Sequence, residues 1–347
     1  MKPLLLLLPA LLAAQPSFRE HVLATDLRGG YQVVVHDVNK DGTRDLKRMI
    51  NLAACPQMEE IVVAHAFENL PKNSIGIVSV LTPGPDRTQP WEVREIDRLT
   101  TSHRLRCADL DGSGRAAVVN APLAGAKADA PDFRDHAPLV YYRPGEWKRI
   151  TINEANEGVV HGIYIYPWKD RRDEILTASF LGIHKHRLES NGAWTRTELA
   201  KGDAAAWPKS GSSDVAVGHL KRRQRYLASI EPWHGNQVAV YREEKGQWRR
   251  QVIDDSLVDG HTVWTGDLNN DGNDEIVVGF RGQPRRVYLY RAEGRNFETW
   301  TRTTLDDGGI AAAACAIADL NGDRRLDIAC IGSATMNLKW YENLGRH

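Results

Sequence analysis

Short apolar runs recur along the chain, among them VVV at Val33–Val35, EIVVGF at Glu275–Phe280, VYLY at Val287–Tyr290 and DIACI at Asp327–Ile331. They are rich in β-branched and aromatic residues and bounded by Gly, Asn and Asp, a pattern that predicts strands. Beyond the first fifteen residues no stretch carries the 3.6-residue apolar period of an amphipathic helix, so the chain reads as all-β. A longer period lies over the strands. An aromatic residue opens a segment that closes five residues later on an aliphatic one: Trp91–Ile96, Trp147–Ile152, Trp194–Leu199, Trp248–Ile253 and Trp300–Leu305. The gaps between successive Trp are 56, 47, 54 and 52 residues. Phe18–Leu23 is a further copy at the N-terminus, with no preceding strands of its own. Upstream strands end in an aromatic and usually Arg, as at Tyr142-Arg143, Tyr241-Arg242 and Tyr290-Arg291, with Trp340-Tyr341 near the C-terminus. Acidic loops join apolar strands: DVNKDGTRD from Asp37 to Asp45, DLNNDGNDE from Asp267 to Glu275, DLNGDRRLD from Asp319 to Asp327, and a weaker DLDGSGR at Asp109. Four antiparallel strands repeated about every 50 residues predict a β-propeller.

The last unit stops at Trp340-Tyr341-Glu342 without a fourth strand, and Phe18–Leu23 is the piece it lacks. The ring is therefore expected to close by pairing the chain ends, which removes exposed sheet edges. Outer aromatic strands number six, whereas candidate innermost strands number seven, starting near Tyr31, Met49, Ser102, Val159, Ser213, Gly260 and Ala312. The expected plan is seven blades with a truncated first blade, and a six-bladed ring is the alternative.

Lys+Arg and Asp+Glu each number 45. Such a balance argues against a nucleic-acid partner, which calls for a basic surplus. Residues 1–14, where Lys2 precedes a Leu/Ala run from Leu4 to Ala14, read as a short signal peptide. The mature chain, residues 15–347, is expected to be a single propeller domain, periplasmic or secreted, and a monomer. No later stretch approaches the roughly 20 apolar residues of a membrane-spanning helix. Cys55, Cys107, Cys315 and Cys330 are too few for a disulfide scaffold in a chain this long. They are expected as buried free thiols, with a Cys315–Cys330 pair across a hairpin as the alternative.

Oxygen-bearing side chains at alternate positions of a tight loop suit Ca²⁺. The expected ligands are Asp37, Asn39, Asp41 and Asp45; Asp267, Asn269, Asp271 and Glu275; and Asp319, Asn321, Asp323 and Asp327. Gly42 and Gly272 would supply the positive φ of the turn, and Arg324 stands where the third loop should have Gly. Such ions would be structural. The plainer alternative is a solvated turn held by Asx hydrogen bonds.

Because these loops join first and second strands, they share one face of the ring, and the opposite rim collects histidines. His103 and His261 each stand six residues before the first Asp of their loop, and His161 begins another inner strand. His65, His234 and Arg281 fall at ends of second strands, while His184 begins a third. Imidazole titrates near neutrality and ligates divalent metals, so this rim reads as an acid/base or Zn²⁺ site. The catalytic candidates are His65, His103, His161, His234, His261 and Arg281, with His184 as a possible ligand of a divalent metal at the mouth. Singly, each histidine reads as strand packing; their convergence carries the functional reading. No Gly-x-Ser-x-Gly elbow or Walker loop is present.

The motif D-x-[DN]-x-D-G-x-x-[DE] resembles FG-GAP/VCBS propeller repeats. Longer stretches, including GIVSVLTPGPDRTQPWEVREIDR, LTASFLGIH, IEPWHGNQVAVY and GHTVWTGDLNNDGNDEIVVGFRG, resemble the propeller domain of aldos-2-ulose dehydratase and its exported bacterial relatives. Ulvan-lyase propellers are a more distant likeness. The resemblance implies β-elimination on a keto-sugar or glycoside at a mouth bearing metal and histidines; His103, His161, His184, His234, His261 and Arg281 lie in matching segments. In such a reaction a carbonyl acidifies the neighbouring C–H, and a neutral His, here His261 or His161, removes that proton. Arg281 or a His-bound divalent metal stabilises the enolate. The alternative is a non-catalytic, Ca²⁺-stabilised propeller that binds carbohydrate or protein through its Trp/His rim.

Overall fold

The structure, a computed structural model, describes residues 15–28, 30–32, 50–56, 58–221, 224–294 and 297–346. Within them the apolar runs form six four-stranded antiparallel sheets. Strand β1 (Pro16–Ala24) is the N-terminal aromatic segment. Blade 1 holds β2 (Asn51–Ala54), β3 (Ile61–His65), β4 (Ile77–Thr82) and β5 (Glu92–Arg98). Blade 2 comprises β6 (Ser102–Ala108), β7 (Ala117–Pro122), β8 (His136–Tyr142) and β9 (Ile150–Glu157). In blade 3 lie β10 (Val160–Tyr166), β11 (Glu174–Ser179), β12 (Gly182–Leu188) and β13 (Trp194–Ala200). Blade 4 is built from β14 (Asp214–Leu220), β15 (Gln224–Glu231), β16 (Gln237–Glu244) and β17 (Gln247–Asp254). Blade 5 contains β18 (Gly260–Gly266), β19 (Glu275–Phe280), β20 (Arg286–Glu293) and β21 (Thr299–Asp307). Blade 6 adds β22 (Ala312–Ala318), β23 (Asp327–Gly332) and β24 (Asn337–Arg346), and β1 completes it.

The burial pattern explains why the repeat was visible. Second strands β7, β11, β19 and β23 are buried along their whole length, whereas outer strands β5 and β17 alternate between half-buried and exposed positions. Neighbouring blades enclose apolar layers, as where Tyr226, Ile230 and Val240 of blade 4 meet Val263, Ile276 and Val278 of blade 5. Ring closure follows the expectation: Phe18 faces Asn343 and His21 faces Trp340 in an antiparallel pairing of β1 with β24.

Two expectations change. The six complete blades match the six-bladed alternative; the segment read as a truncated extra blade lies mostly outside the described residues, as do Asp37, Asn39, Asp41, Asp45 and the leader, residues 1–14. The cysteines are not free thiols. Cys55 pairs with Cys107 and Cys315 with Cys330. Cys315 and Cys330 are direct register partners across β22 and β23. Cys55, just past β2, and Cys107, on β6 of the next blade, lie 5.4 Å apart at Cα, within disulfide reach. No helix of the described residues is long and apolar enough to cross a membrane.

Candidate active site

The same irregularity recurs at the start of several inner strands. Ser102 pairs with Pro122 and Arg104 with Ala121; Val160 pairs with Ser179 and Gly162 with Ala178; Gly260 pairs with Phe280 and Thr262 with Gly279. The residues skipped are His103, His161 and His261. A bulge leaves one residue out of the ladder and re-aims its side chain, and these rings turn inward and meet. Centroid separations are 5.1 Å for His103–His161 and 4.8 Å for His161–His261. Blade 6 carries the same shift at Ala313. His234 joins from the loop between β15 and β16, held at a φ of +50° that L-residues seldom adopt. Its ring centroid lies 4.8 Å from that of His161 and 5.2 Å from that of His261.

Hydrogen bonds fix which nitrogen carries the proton in His161 and His261. His161 Nδ1 is 3.0 Å from the Ser213 carbonyl, His261 Nδ1 is 2.5 Å from the Ala313 carbonyl, and His234 Nδ1 is 3.2 Å from Asp259 Oδ1. The carbonyls only accept, so Nδ1 of His161 and of His261 donates and their Nε2 atoms present lone pairs, whereas His234 Nδ1 lies between an acceptor, Asp259, and a donor, the Arg281 guanidinium, and is compatible with either tautomer. Arg281 Nη2, 3.1 Å from His234 Nδ1, donates to Asp259 Oδ1 at 3.0 Å, while Arg281 Nε donates to Oδ2 at 3.0 Å. The Nε2 atoms of His161 and His234 lie 3.2 Å apart, and ligand atoms of His161, His234 and His261 all fall within 4.8 Å of one another. Among the described residues this is the one group of three or more His, Cys, Asp or Glu so arranged.

The electrostatics keep these rings neutral. Burial, then the Arg104 guanidinium, pushes His103 and His161 well below the ordinary imidazole range; for His261 burial is followed by Arg281. Burial also lowers His234. Burial would raise the Asp259 carboxyl, but hydrogen bonds from His234 and Arg281 outweigh it and hold it at about 2. The close approach of the His161 and His234 Nε2 atoms is held either by a proton on His234 Nε2, with Nδ1 then accepting from Arg281, or by a cation that both nitrogens bind. Nitrogens bound at about 2.0–2.1 Å to a tetrahedral zinc stand roughly 3.3–3.4 Å apart, close to the His161–His234 separation. The donor set therefore fits a divalent transition metal, and the Nδ1–H of His161 and of His261 is already oriented by a carbonyl oxygen, as such centres require.

Around the rings, Tyr31 Oη sits 2.8 Å from His261 Nε2 and accepts from Arg281 Nη1 at 3.2 Å. Phe67 and Trp233 flank the cluster, with centroids 5.4 Å from His103 and 4.8 Å from His234. Arg104 Nε donates to the His161 carbonyl at 3.1 Å. His103 Nδ1 and Arg104 Nη1 are buried without a hydrogen-bond partner. Of the residues expected at the mouth, His103, His161, His234, His261 and Arg281 come together. His65 and His184 do not. His65 Nε2 bonds Ser79 Oγ at 2.9 Å within blade 1, and His184 is on β12, paired with Thr177 and Glu198 of its own blade. Sequence reasoning missed Tyr31 and Asp259. Asp259 precedes the Gly-His pair that opens β18, a signal available in the sequence; Tyr31 was read as the start of a strand.

The acidic loops satisfy much of their own charge with backbone amides. Asp267 accepts from Asp271 N at 2.9 Å and Gly272 N at 2.8 Å, and Glu275 accepts from Leu268 N at 2.9 Å. Asn269 Nδ2 donates to Glu275 at 2.6 Å. Asp319 accepts from Gly322 N at 2.7 Å and Arg324 N at 2.8 Å, and the Arg325 guanidinium bonds Asp323. Gly272 has φ +84°, and Arg324 adopts +67° in place of glycine.

Residues 76–244 match the family model for the aldos-2-ulose dehydratase β-propeller domain, and residues 267–330 match an FG-GAP-like repeat. Aldos-2-ulose dehydratase of Phanerodontia chrysosporium is 26% identical over 293 residues, covering 74% of this chain and 32% of that protein. The chain thus spans about a third of the length of that relative. Among solved structures, Sqt1 of Saccharomyces cerevisiae superposes with a TM-score of 0.55 at 10% identity over 85% of this chain and 72% of its own. A protein of unknown function from Dyadobacter fermentans gives 0.54 at 13% identity over 93% and 98%. These two likenesses concern the fold alone.

Proposed function

We propose that the histidine-lined mouth is the active site of a carbon–oxygen lyase that performs β-elimination on a keto-sugar or keto-glycoside. The observation that carries this reading is the convergence of ligand nitrogens from His161, His234 and His261 within 4.8 Å of one another, with the Nδ1–H of His161 and of His261 committed to carbonyl oxygens. The similarity to aldos-2-ulose dehydratase supports the same chemistry. His161, His234 and His261 would hold a divalent cation. When bound, such a cation polarises a carbonyl and offsets negative charge developing on its oxygen. The chain's own residues do the rest. His103, neutral and with Nδ1 unpartnered, takes the proton from the carbon beside the carbonyl; the sequence-based preference for His261 or His161 as base gives way because their free nitrogens face the shared cation point. Arg104 and Arg281 set a positive potential that favours the enolate. Phe67 and Trp233 offer apolar faces to the sugar ring.

Export of the chain is supported by its two disulfides, which persist in oxidising compartments, and a monomer by the pairing of β1 with β24, which covers the last strand of blade 6 within the chain itself. The Asp267 and Asp319 loops are proposed to take structural Ca²⁺. Burial, with Asp271 and Asp267 close by, pushes the Glu275 carboxyl up to about 8, a strain that a cation would relieve. The test of function is a panel of keto-sugars and keto-glycosides followed by ultraviolet absorbance of the enone product. Enone should form with the wild-type chain and vanish in a folded His261→Ala variant. Metal analysis that finds Ca²⁺ alone, with no enone from any substrate, would replace the lyase by a sugar-binding propeller.

A further inference from the structure

We infer that Tyr31 is the catalytic acid of this site, its phenolic hydroxyl protonating the oxygen that departs. The inference rests on the lyase reading and extends it to the half of the reaction that the histidines leave open. Tyr31 belongs to no blade. It lies on the connector that follows β1, which is fastened on both sides: Leu27 N donates to Met336 O at 2.8 Å, and Asn51 Nδ2 donates to Gln32 Oε1 at 3.0 Å. A Cβ on Gly30, the residue before it, would meet the Ile331 side chain at 2.8 Å, so the backbone there is pressed against blade 6. The phenol is thus delivered to the cluster by fixed backbone.

The direction of its hydrogen bonds defines its chemistry. His261 Nδ1 donates to Ala313, so its Nε2 accepts, and the proton between Nε2 and Tyr31 Oη, 2.8 Å apart, sits on the phenol. Arg281 Nη1 donates to the same oxygen at 3.2 Å and stabilises it once the proton has gone. The lone pair that receives the phenolic proton is one of the three that would bind the cation. Cation binding and the Tyr31–His261 bond therefore compete, and a loaded site leaves the O–H without that acceptor, facing the mouth. The Nδ1 protons of His161 and His261 are held by carbonyl oxygens, and both carboxylate oxygens of Asp259 are occupied in accepting from Arg281.

The step balances. The C–H electron pair becomes the new C=C bond as His103 takes the proton; the C–O pair leaves with oxygen, which receives the Tyr31 proton and departs as water or alcohol. Proton transfer from His103 to the phenolate, through solvent, restores both groups. The test uses the full chain loaded with Zn²⁺ and two keto-glucosides that differ in leaving group, methoxide and nitrophenoxide, together with deuterium exchange at the carbon beside the carbonyl. Tyr31→Phe should slow methoxide elimination by about 10²–10⁴-fold and leave nitrophenoxide elimination and exchange within a few-fold of wild type, because a good leaving group needs no acid. In metal-free protein titrated with Co²⁺, the same variant should bind as tightly as wild type or more so. A parallel fall in all three rates, an unchanged methoxide rate, or a tenfold loss of Co²⁺ affinity would overturn the assignment, the last by making Tyr31 a ligand. A wild-type chain that shows neither exchange nor elimination overturns the lyase reading and the Tyr31 role with it, whereas wild-type activity with a parallel fall removes only the latter.

Discussion

Replacing Asp259 by Asn weakens the proposed metal centre without touching a ligand. Asp259 Oδ1 lies 3.2 Å from His234 Nδ1, and its two oxygens accept from Arg281 Nη2 and Nε at 3.0 Å each. Asn keeps one carbonyl oxygen and turns an N–H₂ toward a guanidinium that can only donate. His234 loses the negative charge that orients its ring and strengthens it as a ligand. Removal of such outer partners lowers metal affinity by about 10- to 100-fold, which corresponds to about 1.4–2.7 kcal/mol. The folding cost should be smaller, about 1 kcal/mol, because the carboxylate is 35% and the guanidinium 19% exposed. The assay is competition for Zn²⁺ against a chromophoric chelator, with Asp255→Asn, an exposed neighbour in sequence, as control. Affinity in Asp259→Asn within twofold of wild type, or equal losses in both variants, would refute the reasoning.

Three further outcomes follow from the geometry. Replacing Cys55 and Cys107 by Ser opens a link between residues 52 apart and should cost up to about 4 kcal/mol on the chain-entropy model; an unchanged urea midpoint, or a free thiol found by alkylation of the unreduced protein, would contradict the pairing. Burial, then Arg196, pushes His184 down to about 4 and His186 to about 3. Their neutral forms are favoured in the fold, so this stability is fully present above the unfolded value near 6.5 and lost as pH falls through 4 toward 3; urea midpoints at pH 7 and pH 4.5 should converge in a His184→Gln/His186→Gln variant relative to wild type. Glu275, raised to about 8, works in the opposite sense: calcium-free protein loses stability as pH rises from about 4.5 to 8. Added Ca²⁺ should raise the unfolding temperature at pH 8 more than at pH 5, and Asp267→Asn should abolish that increment.

The fold was legible because every blade repeats one burial pattern, and Phe18–Leu23 stood out as an outer strand without a blade. Part of the site was legible for the same reason: His103 and His261 share one offset from Asp109 and Asp267, and that offset marks the bulge. Side chains whose direction depends on register were harder. A strand reverses its faces at every residue, so His65 and His184, correctly located along their strands, serve their own blades. The Cys55–Cys107 pair joins the segment just past β2 to β6 of the next blade, and no local pattern announces it. Tyr31 reaches the cluster from a connector whose position is set by Asn51 and by Met336 and Ile331 of blade 6, and the last two contacts exist only after the ring has closed.

The central claim is that three imidazoles hold one divalent cation in a mouth that performs elimination. Its most direct test is the rate of enone formation from a responsive keto-sugar as Zn²⁺ is titrated into metal-free protein. The account predicts a rise to a plateau at about one equivalent, the metal ratio of a single three-histidine centre, and no rise in His161→Ala. Full activity in the metal-free protein, or none at saturating metal, would contradict it.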